Sequence, residues 1–273
     1  MDCGRPRPRA PHRLAYNRQV RRILLAAALF ALQASPAEIH VMISGGFTAA
    51  FQALTPRFER QTGDHLAIAY GASMGATPNA IPARLARGEP ADVVILARSA
   101  LDLLVKDGRV LTGSEVDLVR SRVGLGVKKG APLPDISTVE GLKQTLLNAK
   151  SIAYSDSASG VYVSGELFKR LGIEVASKST MILGTPVGIA VAEGKAEVGF
   201  QQISELLPVA GIVMVGPIPE AVQKITIFAA GIAATTKSPA EARRLIDFLS
   251  SPDAWDAIRK SGLDPVVKPE TGQ

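Results

Sequence analysis

The chain has 273 residues, with 31 Lys and Arg against 25 Asp and Glu, 47% hydrophobic residues and a single cysteine. That composition excludes a disordered chain, a disulfide framework and a cysteine-based zinc site. The formal net charge of +6 raises the question of a nucleic-acid or anionic-membrane partner, and the answer depends on where the charge lies.

It lies at the N-terminus. Arg18, Arg21 and Arg22 precede an unbroken apolar run over 23–32, followed by Gln33-Ala34-Ser35-Pro36-Ala37. A basic flank, an apolar stretch and a small-x-small end predict a secretory leader over 1–37, cleaved after Ala37. The run is too short to be a permanent membrane span. The segment holds seven arginines, one acid (Asp2) and Cys3, which leaves 24 basic against 24 acidic residues. The exported protein is therefore expected to be periplasmic, Cys-free and neutral, with no nucleic-acid partner. No cysteine follows the apolar run, so no lipid anchor is expected.

Beyond the leader, short apolar runs predict strands at 39–43, 66–70, 93–96, 123–127, 152–154, 181–183, 198–200, 212–215 and 225–234. Near-continuous apolar character marks strands covered on both faces. Phe47, Ala50, Phe51, Leu54 and Phe58 fall on one face of a helix, with Pro56 expected to kink or tighten it. Leu167, Phe168 and Leu171 make a second helical face, ended by Gly172. Ser238-Pro239-Ala240-Glu241 reads as a capping box opening a helix through Leu249. Ser251-Pro252 opens another, carrying Trp255 and Ile258.

The alternation predicts an α/β fold of two lobes with mainly parallel sheets and a double-crossover hinge. The expected division is 38–118 plus 236–273 for the first lobe and 119–235 for the second, with a ligand cleft between them.

Small hydrogen-bonding residues recur where a strand hands over to a helix. They are Ser44-Gly45-Gly46-Phe47-Thr48, Ser157-Ala158-Ser159-Gly160 ahead of Tyr162, and Thr185-Pro186-Val187-Gly188. Tyr70-Gly71-Ala72-Ser73-Met74-Gly75 has the same character, and Gln201-Gln202 ends a strand with two amides. Helix N-termini expose unpaired N–H groups, and strand C-termini form the ligand crevice of open α/β sheets. Singly, each loop is compatible with an ordinary N-cap. Together they predict an oxyanion site without a charged side chain, built from Ser44, Gly45, Gly46, Phe47, Ser73, Met74, Ser159, Gly160, Tyr162, Val187 and Gln201 or Gln202. Asp92 is read as structural or as holding a loop N–H near the cleft.

No Gly-Lys-Ser/Thr, third dinucleotide glycine, Gly-x-Ser-x-Gly elbow or His-x-x-x-His pattern is present. No cofactor or metal is expected. A catalytic acid or base would have to come from Tyr70, Tyr162, Asp156 or His40.

In order and spacing, Ser44-Gly45-Gly46-Phe47-Thr48, Phe58-Glu59 with Thr62-Gly63, Ala86-Arg87-Gly88-Glu89-Pro90-Ala91-Asp92-Val93, Ser159-Gly160-Val161-Tyr162, Glu197-Val198-Gly199-Phe200 and Ser251-Pro252…Trp255 resemble the periplasmic molybdate-binding protein family. These are the solute receptors of anion ABC importers. The resemblance implies a type II periplasmic-binding-protein fold, a small oxyanion or carboxylate ligand held by neutral donors, a monomer, and a permease and ATPase as partners.

The chain departs from that family. Gly46 stands where members usually carry a ligand-contacting serine. Met74 to Asn79 reads as an insertion beside Ser73. Gln201 or Gln202 replaces a ligand-contacting tyrosine. These changes point away from molybdate and towards a larger carboxylate. The same family includes a secreted aconitate isomerase, which moves a double bond in a tricarboxylate, so an enzyme of that type is the alternative to a transport receptor. A ligand-sensing domain of a transcription regulator is disfavoured by the leader and by the lack of a helix-turn-helix segment.

Overall fold

A computed structural model describes residues 36–75 and 77–267, together with Met1 and Cys3. Apart from these few positions, the leader expected over 1–37 lies outside the described residues.

Strand β1 (Glu38–Ile43) runs into helix α1 (Gly45–Thr62). The helix buries Phe47, Ala50, Phe51, Leu54 and Phe58, the face read from the sequence, and it continues through Pro56. Gly63 ends it in the left-handed conformation, at φ 78, with its N–H on the Glu59 carbonyl. Then follow β2 (His65–Tyr70), α2 (Ile81–Ala86), β3 (Val93–Ala97), α3 (Arg98–Lys106) and β4 (Val116–Ser121).

The chain next crosses into a second set of elements: β5 (Val123–Lys128), α4 (Val139–Asn148) and β6 (Ile152–Ser155). Helix α5 (Ala158–Tyr162) continues through a π turn at Val163–Leu167 into α6 (Phe168–Leu171), which Gly172 terminates at φ 63. Strand β7 (Ser179–Ile182), helix α7 (Val187–Ala192), strand β8 (Val198–Gln202), the short helix α8 (Ile203–Leu206) and strand β9 (Ile212–Pro217) complete the set. The chain then crosses back to β10 (Thr226–Ile232), α9 (Pro239–Ser250), α10 (Trp255–Lys260) and β11 (Asp264–Pro265).

Among the described residues the strands form two sheets, ordered β11-β4-β10-β3-β1-β2 and β7-β6-β8-β5-β9. In the first sheet β1 pairs parallel with β2 and β3, and β10 pairs antiparallel with β3 and β4. In the second sheet β6 pairs parallel with β7 and β8, and β5 pairs antiparallel with β8 and β9. The sheets are therefore mixed, where the sequence suggested mainly parallel strands. In each lobe one strand joined directly to a crossing segment runs against the parallel set.

Three expectations need correction. The strand predicted at 225–234 was assigned to the second lobe. As β10 it lies in the first sheet between β3 and β4, so the return crossing comes before Thr226. Strand β4, with its exposed Arg120 and half-buried Asp117, was not predicted. Helix α9 does start at Pro239, but the Ser238 side chain makes no capping bond. Thr236 acts there instead, accepting the Ser238 N–H at 3.1 Å and donating to Asp92 Oδ1 at 2.6 Å.

Each lobe has its own core. In the first, Leu245, Ile246, Leu249 and Ile258 of the C-terminal helices pack with Phe47, Phe51, Phe58 and Phe228. In the second, Leu142, Leu146, Leu167 and Phe168 pack on Leu125, Ile152 and Phe200. Burying each such side chain contributes about 1.5–3 kcal/mol. The two lobes are thereby separately stabilised bodies that can present fixed walls to one cleft.

Candidate functional site

A cavity of about 410 Å³ lies between the lobes, at the C-terminal ends of the parallel strands. That is the crevice position expected of an open α/β sheet, and the size suits a small molecule. From the first lobe, Gly45, Thr48, Ala49 and Gln52 line it. Their spacing of three, four and seven puts them on one face of α1, turned away from the phenylalanines. Tyr70, Gly71, Ala72 and Asn79 extend this wall. From the second lobe come Ser155, Asp156 and Ser157 at the end of β6, Gly184, Thr185 and Pro186 after β7, and Gln201, Ser204, Glu205, Pro208 and Val209 around α8.

The first wall is neutral. Gln52 Nε2 donates to the Tyr70 hydroxyl oxygen at 3.0 Å, which leaves the phenolic proton free for a ligand oxygen. Thr48 Oγ1 donates to the Ser44 carbonyl at 3.2 Å. Helix α1 adds the unpaired N–H groups and positive end of an 18-residue helix.

The second wall is titratable. Asp156 Oδ2 accepts the Gly184 N–H at 3.2 Å. Glu205 Oε1 accepts from Gln201 Nε2 at 2.9 Å, and Gln201 Oε1 accepts the Val187 N–H at 2.8 Å. Burial pushes the Glu205 carboxyl up to about 7, opposed by the Gln201 hydrogen bond, raised further by the Asp156 charge and lowered by the Gln202 backbone. Among the described residues, no Lys, Arg or His lines the cavity. A carboxyl held near neutrality can both accept and return a proton at physiological pH.

Glu205 also meets the other lobe. A β-carbon built on Gly45 would lie 2.0 Å from its Oε1, so the carboxyl rests against the start of α1 where any other residue would displace it. Beside it, Ser204 Oγ donates to the Gly46 carbonyl at 2.7 Å, joining the two lobes.

The sequence-predicted residues divide. Gly45 and Gln201 line the cavity, as do Tyr70 and Asp156 among the candidate acids and bases. The others do not. Ser44 is buried at the head of α1, with its N–H on the Ile95 carbonyl and its hydroxyl unpartnered. A β-carbon on Gly46 would lie 2.1 Å from the Phe228 ring, which explains why no serine stands there. Phe47 is core. Ser73 Oγ accepts the Ala97 N–H at 3.0 Å, and Met74 packs against the first lobe's core.

Ser159 Oγ is bonded to Ser155 Oγ at 2.9 Å, and Gly160 packs on the Ser155 backbone. Tyr162 is buried in the second lobe, where its hydroxyl donates to the Val222 carbonyl and accepts from Arg170. Val187 gives its N–H to Gln201. Gln202 faces the hinge, accepting from Ser121 Oγ at 2.8 Å and donating to Thr226 Oγ1 at 3.1 Å, one contact on each crossing segment. His40 lies beside Asp92, whose Oδ2 accepts the His40 N–H at 2.8 Å, so Asp92 is a structural clamp.

Sequence reasoning missed Glu205, Thr48 and Gln52. The polar positions at three and seven residues from Gly45 were a usable signal for the last two. Glu205, four residues after Gln201 just past a strand end, was another.

The chain matches the family described as "Bacterial extracellular solute-binding protein" over residues 39–264. It is 48% identical over 246 residues to an aconitate isomerase from a Pseudomonas species, covering 89% of this chain and 94% of that one. It is 26% identical over 250 residues to the molybdate-binding protein ModA of Azotobacter vinelandii, covering 88% of this chain and 95% of that one. Among solved structures, the Azotobacter vinelandii periplasmic molybdate-binding protein superposes with a TM-score of 0.66 at 21% identity, over 85% of this chain and all of that one. The sulfate-binding protein SubI of Mycobacterium tuberculosis superposes with a TM-score of 0.68 at 18% identity, over 84% of this chain and 87% of that one. No helix among the described residues is long and apolar enough to cross a membrane. The two-lobed fold, the cleft at the strand ends and the sequence match agree, and the chain belongs to the bacterial extracellular solute-binding protein family.

Proposed function

We propose that this chain is an isomerase built on the solute-binding fold, acting on a small unsaturated tricarboxylate, aconitate, in the cleft between the lobes. The observation that carries this reading is Glu205, a carboxyl pushed up to about 7 at the cavity wall. A receptor for an oxyanion has no use for a proton acceptor there. The likeness to an aconitate isomerase at 48% identity supports the same conclusion.

The chemistry follows from the substrate. The methylene of trans-aconitate lies between a carboxylate and the double bond. Breaking its C–H bond sends the proton to the Glu205 carboxylate and the electron pair into the allyl system. Glu205 then returns the proton to the far carbon of that unit, which restores the carboxylate, and the double bond has moved by one position. Nothing is oxidised or reduced. A substrate carboxylate beside Glu205 raises the carboxyl's proton affinity further, which strengthens the base at the moment of use. Tyr70 and the head of α1 supply neutral donors to the substrate carboxylates.

Incubation with trans-aconitate, followed by chromatography for the cis isomer, tests the reading. The expected result is interconversion to the same ratio from either isomer. No interconversion, together with thermal stabilisation by molybdate or sulfate, would return the chain to a receptor role. A ligand at about 100 times its Kd adds roughly 2.7 kcal/mol.

A further inference from the structure

We infer that Gln201 is the positioning residue of this site, fixing the Glu205 carboxyl through Oε1 and setting its readiness to take the substrate proton. The inference rests on the isomerase reading and adds a residue that does not itself touch the reacting carbon.

Gln201 is 3% exposed and is the last residue but one of β8. A side-chain amide has one accepting and one donating end. The accepting end is committed to the Val187 N–H at 2.8 Å, a first-turn group of α7 without a partner in its own helix. The donating end must then face Glu205, and Nε2 lies 2.9 Å from Oε1. Reversing the amide would set donor against donor at Val187 and acceptor against acceptor at Glu205, so the network permits one orientation.

Oε1 is thus held by Gln201, and the Gln202 backbone is a second donor to the same carboxyl. Asp156 from the β6 end and Tyr70 from the first lobe are the other titratable groups lining the cavity, and no cation does so among the described residues. A lysine in place of Gln201 would hold Glu205 ionised. A neutral amide fixes the carboxyl and still lets it gain and lose a proton.

Gln201→Leu removes both ends of the amide at similar volume. The acid limb of kcat/KM for trans-aconitate should move to higher pH by about one unit, a roughly tenfold loss below the limb that is recovered at high pH. KM should change little. Gln201→Glu keeps an acceptor for the Val187 N–H but sets a carboxyl against Glu205, and should move the limb further in the same direction. Carbon-13 NMR titration of the Glu205 carboxyl, assigned by its loss in Glu205→Gln and read in ligand-free protein, should report the same shifts without turnover. An unmoved titration in the folded variants, or a loss of activity equal at every pH, overturns the role. If the wild type turns over no aconitate while the titration still moves, the isomerase reading fails and the coupling of Gln201 to Glu205 stands.

Discussion

The two walls of the cleft are built alike and charged differently. Both are strand ends followed by helices, but the first lobe offers hydroxyls, two amides and a helix N-terminus, while the second offers Asp156 and Glu205. The first wall is what an anion receptor needs. The second carries a carboxyl pushed up to about 7, which on the proposed isomerase reading accepts the substrate proton. The difference teaches that a binding fold can acquire chemistry through one wall while the other keeps the task of holding the ligand.

The largest effect should come from removing the acceptor. Glu205→Gln should lower kcat for aconitate by about 100- to 10,000-fold while leaving thermal stabilisation by the substrate in place. The same change should stabilise the free protein at pH 8. The Glu205 carboxyl ionises from its ordinary 4.5 in the unfolded chain but only near 7 in the fold, so stability falls as pH rises across that window and the cost is complete above it. The gain in unfolding free energy should be about 3 kcal/mol at pH 8 and vanish below pH 4.5.

Gly45→Ala sharpens the contrast from the other wall. The atoms nearest its β-carbon all belong to the flexible Glu205 side chain, so the chain should fold while the carboxyl swings out of place. Activity should fall on the order of 100-fold with an unchanged melting temperature. Gly160→Ala is the structural counterpart. There the added carbon lies 1.6 Å from the Ser155 carbonyl oxygen, a backbone atom that cannot swing aside. Chemical denaturation should register a loss of about 1–3 kcal/mol. Smallest is Tyr70→Phe, which removes the free phenolic donor of the first wall. KM should rise about tenfold, with kcat within a few-fold of wild type.

The sequence carried the two walls unequally as well. Strand ends followed by Ser, Thr and Gly located the loops after β1, β2, β6 and β7, because unpaired helix N–H groups require such residues near a ligand, and the paired amides Gln201-Gln202 marked the end of β8. The phenylalanine face of α1 and the Gly172 terminus followed from helical period and chirality. What sequence could not convey was direction. Ser44, Phe47 and Tyr162 sit in the right loops and helices, yet point into packed interiors. Glu205 looks like any solvated acid of a short helix, and the approach of Gly45 from a distant segment helps to bury it. Strand 225–234 was apolar enough to suit either sheet, so its lobe was decided by tertiary pairing with β3 and β4. Val116-Asp117-Leu118-Val119-Arg120-Ser121 hid as a strand because its charged positions face outward within an otherwise buried sheet.

The most direct measurement is the pH dependence of kcat/KM for trans-aconitate between pH 5 and 9. With Glu205 as the base, activity should fall tenfold per unit below about 7, and this limb should be absent from the residual rate of Glu205→Gln. A flat profile in the wild type, or an undiminished rate in Glu205→Gln, would contradict the assignment of Glu205 as the group that moves the proton.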